Sequence, residues 1–527
     1  KVPGGKQVLK FSSVGMGTQT YQADIRGNGI LNVEMEEEII QLRGVVVIAE
    51  KYKNVSGAQM GLNQLDVKNL KNMPSLAGET DIIKTAILLP GVQTVGEGAS
   101  GFNVRGGSTD QNLILLNGAP VFNSSHLFGF FSAFNPDVVR DLKLYKSSIP
   151  ASYGGRIASV LDITMKNGNS KAFKGSVGMS PVTGKILLEG PIIKDKISFL
   201  MAARSTYSNW MMKRINRPEI KNSSAKFNDL NFNMNYNINS RNDLGSSLYR
   251  SYDFFKLNTD TTYNYLNQSL TLKYKHKFSE VMLLDVAVIA AGYSYSIIGQ
   301  ENQLNSFDLT YKIDYREGKV DFSWFPAYNH SIKYGANIIH YALSPGNLNP
   351  YNQNSKIISK KLEDESGIET AIYMSDDYQL TKSLLASVGM RYSSFIPLGP
   401  RTVHQYLENA PIELYTLINT LHYGKGKLPE TYHGPELRAA FRYLISNELS
   451  VKLSYNRTRQ YLHMLSNTTA VSPTDTWKLS DTHIKPQRGN QYALGIYKNL
   501  QSNTIQTSIE IYYKTIKDYI DYKGGAE

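Results

Sequence analysis

From Lys171 onward the chain keeps a period of two for most of its 527 residues. In residues 230–239 (LNFNMNYNIN), Leu230, Phe232, Met234, Tyr236 and Ile238 fall on one face and asparagines on the other. Residues 269–278 set Leu270, Leu272 and Tyr274 against Thr271, Lys273 and Lys275. Residues 449–456 alternate Leu449, Val451, Leu453 and Tyr455 with Ser450, Lys452, Ser454 and Asn456. Residues 505–513 put Thr507, Ile509 and Ile511 opposite Ser508, Glu510 and Tyr512. Successive side chains of a strand point to opposite faces. Each segment therefore has one apolar and one polar face, the pattern of a transmembrane antiparallel β-barrel with a polar lumen.

Connection lengths give an independent argument. Short turns are expected at residues 193–196, 240–243, 279–280, 326–330, 381–383, 446–448 and 499–503. Between them lie mostly longer, polar stretches: 207–226, 343–365, 395–431 and 463–488. Short periplasmic turns alternating with long extracellular loops are a barrel property, and the spacing gives about 15 strands. No apolar run reaches the roughly 18 residues of a transmembrane helix. The best candidate, residues 281–293, is short and contains Asp285. Mean hydropathy of −0.32 does not argue against a barrel, because each strand shows lipid only every second residue.

Ahead of this region, residues 102–169 read as a small α+β domain. Residues 113–116 are a strand candidate, and Asn117-Gly118 is a two-residue hairpin signal. Residues 138–145 suggest a short helix and a strand, and residues 160–164 another strand. Phe102-Asn103-Val104-Arg105-Gly106-Gly107, Leu115-Leu116-Asn117-Gly118 and Tyr153-Gly154-Gly155-Arg156, in that order, resemble the plug domain of TonB-dependent outer-membrane transporters. Residues 79–92 (ETDIIKTAILLPGV) resemble the helix and Pro-Gly-Val turn that open such a plug. The plug turns are then Gly106, Gly107, Asn117, Gly118, Gly154 and Gly155.

The resemblance implies a 22-stranded barrel, so the region from 170 to 527 is expected to be incomplete, with C-terminal strands missing. Residues 51–169 would be the plug. Residues 1–44, with strand candidates at 8–11, 21–25 and 30–35, resemble the later part of a carboxypeptidase-regulatory-like β-sandwich of the Bacteroidetes type. Residues 45–50, with Val45, Val46, Val47, Ile48 and Ala49, resemble a TonB box; the alternative is the last strand of that sandwich. A β-branched extended segment can add as a strand to a partner's sheet, where backbone hydrogen bonds supply the affinity. Lys1 opens directly into Val-Pro-Gly-Gly, so a signal peptide is expected to have been removed or left outside this sequence.

The implied function is TonB-dependent active transport of a scarce nutrient (siderophore, cobalamin, glycan or peptide) across the outer membrane of a Gram-negative bacterium. A non-transporting plugged-barrel scaffold is the alternative. The implied partners are the TonB C-terminal domain with its inner-membrane energising complex, a small extracellular substrate, outer-membrane lipid and lipopolysaccharide, and a surface lipoprotein. Family resemblance further implies a plug–barrel lock. Arg105 and Arg156 need carboxylates near the wall, because an unpaired buried charge is costly. Strand parity offers Glu436 and Glu510. His126, Phe128, Phe130, Tyr461, His463 and Trp477 are substrate-binding candidates, with plug packing or an interfacial aromatic belt as the alternative.

Other chemistry finds little support. The chain has no cysteine, which excludes thiolate catalysis and thiolate metal sites. His330, His340, His404, His422, His433 and His463 lack metal-ligand spacing, no nucleophile elbow appears, and no enzyme, metal or cofactor is expected. The formal charge of +12 suits a charged lumen and loops facing anionic lipopolysaccharide. Nucleic acid is not an expected partner, because lysines and arginines are spread evenly and Arg105-Gly106-Gly107 is a single copy.

Overall fold

The computed structural model describes residues 5–13, 16–25, 33, 53–66, 79–94, 101–207, 209–257, 261–424, 430–466, 472, 474–501 and 504–521. One antiparallel sheet of 16 strands dominates it. All but Lys360–Lys361, which pairs at the side of His330–Pro350, follow a single path from Lys174–Met179 to Ile505–Lys517. Among the described residues no pairing joins those two end strands. Each short turn read from the sequence joins two neighbouring paired strands, as in Ser224–Asn239 with Asn242–Leu257. The opposite end carries the long connections 207–223, 351–364, 399–431 and 461–486.

Burial follows the period of two. On Ser224–Asn239 the polar Asp229, Asn231 and Asn233 are buried, while Leu230, Phe232 and Met234 are partly exposed. On Leu449–Gln460, Lys452 is 1% exposed and Leu453 52%. Registered pairing lines up Phe232, Leu248, Leu270 and Ala290 across four strands as part of the apolar exterior. No described helix is long and apolar enough to cross a membrane. The crossing elements are strands, which satisfy their backbone groups between neighbours.

The lumen-side polar residues are buried because a second unit covers them. Its sheet has five strands in the order Leu62–Asp66, Val139–Tyr145, Ser159–Met165, Asn112–Leu116 and Ala119–Pro120. Asn117 (φ 50°) and Gly118 (φ 90°) form the tight turn between the last two, both with the positive φ that such a hairpin requires. The helix Ile82–Ile87 is capped by Asp81, whose carboxylate accepts from Lys84 N at 2.8 Å. It ends before Pro90-Gly91, where Gly91 takes φ 77°.

The expected helical start of residues 138–145 is not formed. Val139–Tyr145 is strand throughout, because Val139, Leu142 and Leu144 all reach the plug core and two flanking strands pair with it. That core also includes Leu200, Ala202 and Tyr249 of the barrel wall. Gly5–Ser13 and Met16–Ile25 form a hairpin at the expected strands 8–11 and 21–25. Residues 45–50 and nearly all of 30–35 lie outside the described residues.

Candidate functional site

The plug meets the wall through charged side chains at both ends of its central turns. Arg105 follows the strand Asn103–Val104 in a positive-φ turn with Gly106 (φ 49° and 73°), which swings its buried side chain toward the wall. Its guanidinium pairs with Glu510 of Ile505–Lys517, donates to Ser147 Oγ, and lies 4.8 Å from the centre of the Tyr512 ring. Tyr497 Oη donates to the other Glu510 oxygen at 2.7 Å and accepts from Gly61 N at 3.3 Å. Nearby, Lys146 donates to the Pro90 carbonyl at 2.7 Å. Burial lowers its pKa to about 8, against the opposing charge of Glu510.

A second cluster receives residues 150–156. Arg391 lies 3.7 Å from Glu369 and 3.8 Å from Glu436, and Arg438 pairs with Glu436 at 3.0 Å. Arg438 also donates to the plug carbonyls of Pro150 and Tyr153. A side chain at Gly154 would have to displace the Arg391 guanidinium. Glu436 therefore meets the barrel's own arginines and not a plug arginine. Arg156 has no carboxylate within 4.0 Å among the described residues. It donates to Gly155 O at 2.7 Å and lies over Trp477 at 5.3 Å. Glu369 accepts from the Tyr341 hydroxyl at 3.0 Å on one oxygen, and its other oxygen, 3.7 Å from Arg391, has no hydrogen-bond partner.

The substrate candidates divide. His126, Tyr461 and His463 are each fully buried. Tyr461 stacks on Phe395 and shares a hydrogen bond with Ser393. His463 Nε2 is 2.8 Å from Ser480 Oγ, and burial pushes its pKa down to about 3, so the ring is neutral. Phe128 packs edge-on against Phe255, Tyr263 and Tyr265. Phe130 is 55% exposed at the plug surface.

Trp477 lines a cavity of about 40 Å³ with Asp110, Asn123, Arg156, Tyr293 and Met464. That is room for water or one small group. Arg156 Nε and Asn123 Nδ2 are buried there without a hydrogen-bond partner and can donate to an acceptor. Asp110 is held by Ser108 Oγ (2.5 Å) and Gln460 Nε2 (2.8 Å), and burial raises its pKa. Asn123, Asp110 and Tyr293 carry no sequence signal for this position. No group of three His, Asp or Glu able to hold a metal ion occurs among the described residues.

Two family models match. The TonB-dependent Receptor Plug Domain covers residues 48–160, and the TonB dependent receptor-like beta-barrel covers residues 214–526. No curated protein sequence matches the chain. Among solved structures it is similar to the copper transporter OprC (9% identity, TM-score 0.62, 87% of this chain and 73% of that one). It is also similar to the siderophore receptor PirA from Acinetobacter baumannii (14%, 0.61, 90% and 73%). The ferric yersiniabactin uptake receptor FyuA from Yersinia pestis is a third (13%, 0.60, 88% and 73%). The chain belongs to the TonB-dependent receptor family, outer-membrane β-barrels that enclose a plug and transport substrate in a TonB-dependent way without catalysing a covalent reaction.

Proposed function

We propose that this receptor imports a scarce nutrient, a siderophore, cobalamin, glycan or peptide, captured between the plug apices and the long outer connections. The observation that supports this reading is the match of plug and barrel together to the TonB-dependent receptor models, over residues 48–160 and 214–526. Residues 45–49 act as the TonB-binding strand. Arg105 with Glu510, and Glu436 acting through Arg438 on the Pro150 and Tyr153 carbonyls, act as the lock that yields when the plug is remodelled. Lipopolysaccharide and a surface lipoprotein complete the proposed surroundings. Identities of 9–14% to siderophore and copper proteins carry the fold alone.

The test is binding of a cognate TonB C-terminal domain to the full-length receptor, with Val46→Pro as control. Proline removes a backbone donor from the paired strand. Binding that drops at least about tenfold in the variant supports this reading, a loss of roughly 1.4 kcal/mol. Binding unaffected by the change moves the strand elsewhere. No binding to the intact receptor favours a plugged scaffold.

A further inference from the structure

One plug segment, Ser125–His126, meets the wall at a buried cluster of charged groups. His126 Nδ1 is 2.7 Å from Asp253 Oδ2, and Nε2 is 3.5 Å from Asp229 Oδ2. The ring stacks on Phe227 with centroids 4.0 Å apart. Arg204 Nε donates to Asp229 at 2.7 Å, and its Nη1 is 3.6 Å from plug Glu79. The other Asp253 oxygen accepts from Leu127 N at 3.0 Å. Also facing this contact are Asp81 and Lys84 from the plug helix, and Tyr249 and Tyr265 from the wall. The cluster sits where Ile197–Thr206 and Asn242–Leu257 approach connections 207–223 and 258–260, opposite the short turns. This is the outer end of the barrel.

Two carboxylates face the two ring nitrogens, so the cluster needs one proton beyond the neutral imidazole's own. A neutral imidazole has a single N–H, and Asp253 takes it at Nδ1. The Nε2 lone pair would then face the Asp229 carboxylate at 3.5 Å, acceptor against acceptor. The imidazolium presents two donors to two carboxylates. It also offsets part of the negative charge left where three buried carboxylates (Glu79, Asp229, Asp253) face one guanidinium (Arg204). We propose that His126, Asp229 and Asp253 form a proton-binding site that fastens the outer apex of the plug to the barrel wall.

Burial acts to lower the His126 pKa, but the Asp253 charge and the hydrogen bonds to Asp229 and Asp253 outweigh it, and the value is raised. A raised value means that the contribution is complete below the ordinary histidine range and is lost as pH climbs through the folded-state value. The segment so fastened, residues 125–132, carries Phe128 and the exposed Phe130. External pH thus controls the order of the plug's outward loop. Only the bearing of this on substrate capture rests on the transport reading.

Hydrogen exchange of residues 123–134 in the full receptor, followed from pH 6 to 9.5 and corrected for intrinsic exchange, tests the site without substrate or TonB. The opening constant should be flat at low pH and then rise up to about tenfold per pH unit. In His126→Gln it should be high and independent of pH. In His126→Gln/Asp253→Asn, protection should return without the pH step. Should His126→Gln not assemble, Asp253→Asn alone must move the step to lower pH. A wild-type profile that stays flat, or a step that persists unmoved in these variants, overturns the proposal and leaves the transport reading standing.

Discussion

At the scale of single residues, the interface is governed by what each buried charge finds. Arg105 and Glu510 find each other, and each also binds a plug or wall hydroxyl. Removing one partner leaves the other charge buried and uncompensated, at a cost of about 3–5 kcal/mol. Arg105→Leu should therefore lower the thermal stability of the plug in calorimetry by an amount in that range. Arg105→Leu/Glu510→Leu should recover most of the loss, because neither charge is then stranded. Equal loss in the single and double variants would mean that packing on Tyr512, not charge pairing, holds this corner. Strand parity read Glu510 onto the lumen face. Parity read Glu436 onto that face too, but could not say that Arg438 and Arg391 would claim it.

Among elements, the short entry segment of the plug is the most instructive. Lys53–Ser56 and the residues after it lie against Leu449–Gln460 and Gln487–Leu500, close to the short-turn end. Lys452 donates to the carbonyls of Asn54 (2.8 Å) and Gln59 (3.3 Å), while Val55 and Met60 pack on Ala493 and Tyr497. A hydrogen bond contributes about 0.5–1.5 kcal/mol net, and a buried carbonyl left unpaired costs about 1–3 kcal/mol. Lys452→Met keeps the length of the side chain and removes the charge. Exchange in residues 53–61 should then rise at least about tenfold, with the plug sheet unchanged. An unchanged rate would assign the anchoring to the apolar contacts alone. The sequence marks Lys452 only as the polar member of an alternating strand.

For the molecule as a whole, the apolar exterior is a membrane surface. Leu270 is 43% exposed and pairs with Leu248 and Ala290 on that face. A lysine on the lipid face near the midplane costs about 2–4 kcal/mol. Leu270→Lys should thus lower folding stability in bilayers by that amount, while Thr271→Lys should act instead on the lumen side, where Thr261–Ser279 meets the plug strand Ala119–Pro120. If both variants behave alike in reversible unfolding, the two faces have been assigned wrongly.

What the sequence determined by itself is what repeats or is local. A period of two over hundreds of residues leaves a sheet with one apolar and one polar face. Turns with few residues fix which strands are neighbours, and Asn117-Gly118 dictates its own hairpin. Tertiary structure decided everything that depends on which face of the plug meets which strand. Residues 138–145 became strand because two neighbours paired with it. His126, read as a substrate contact, lies fully buried between Asp229 and Asp253, residues more than a hundred positions away that no local pattern connects to it. Arg156 lies over Trp477, with no carboxylate within 4.0 Å among the described residues. The physical reason is common to all three: periodicity sets the direction of a side chain, whereas its partner is set by the docking of two separately patterned surfaces.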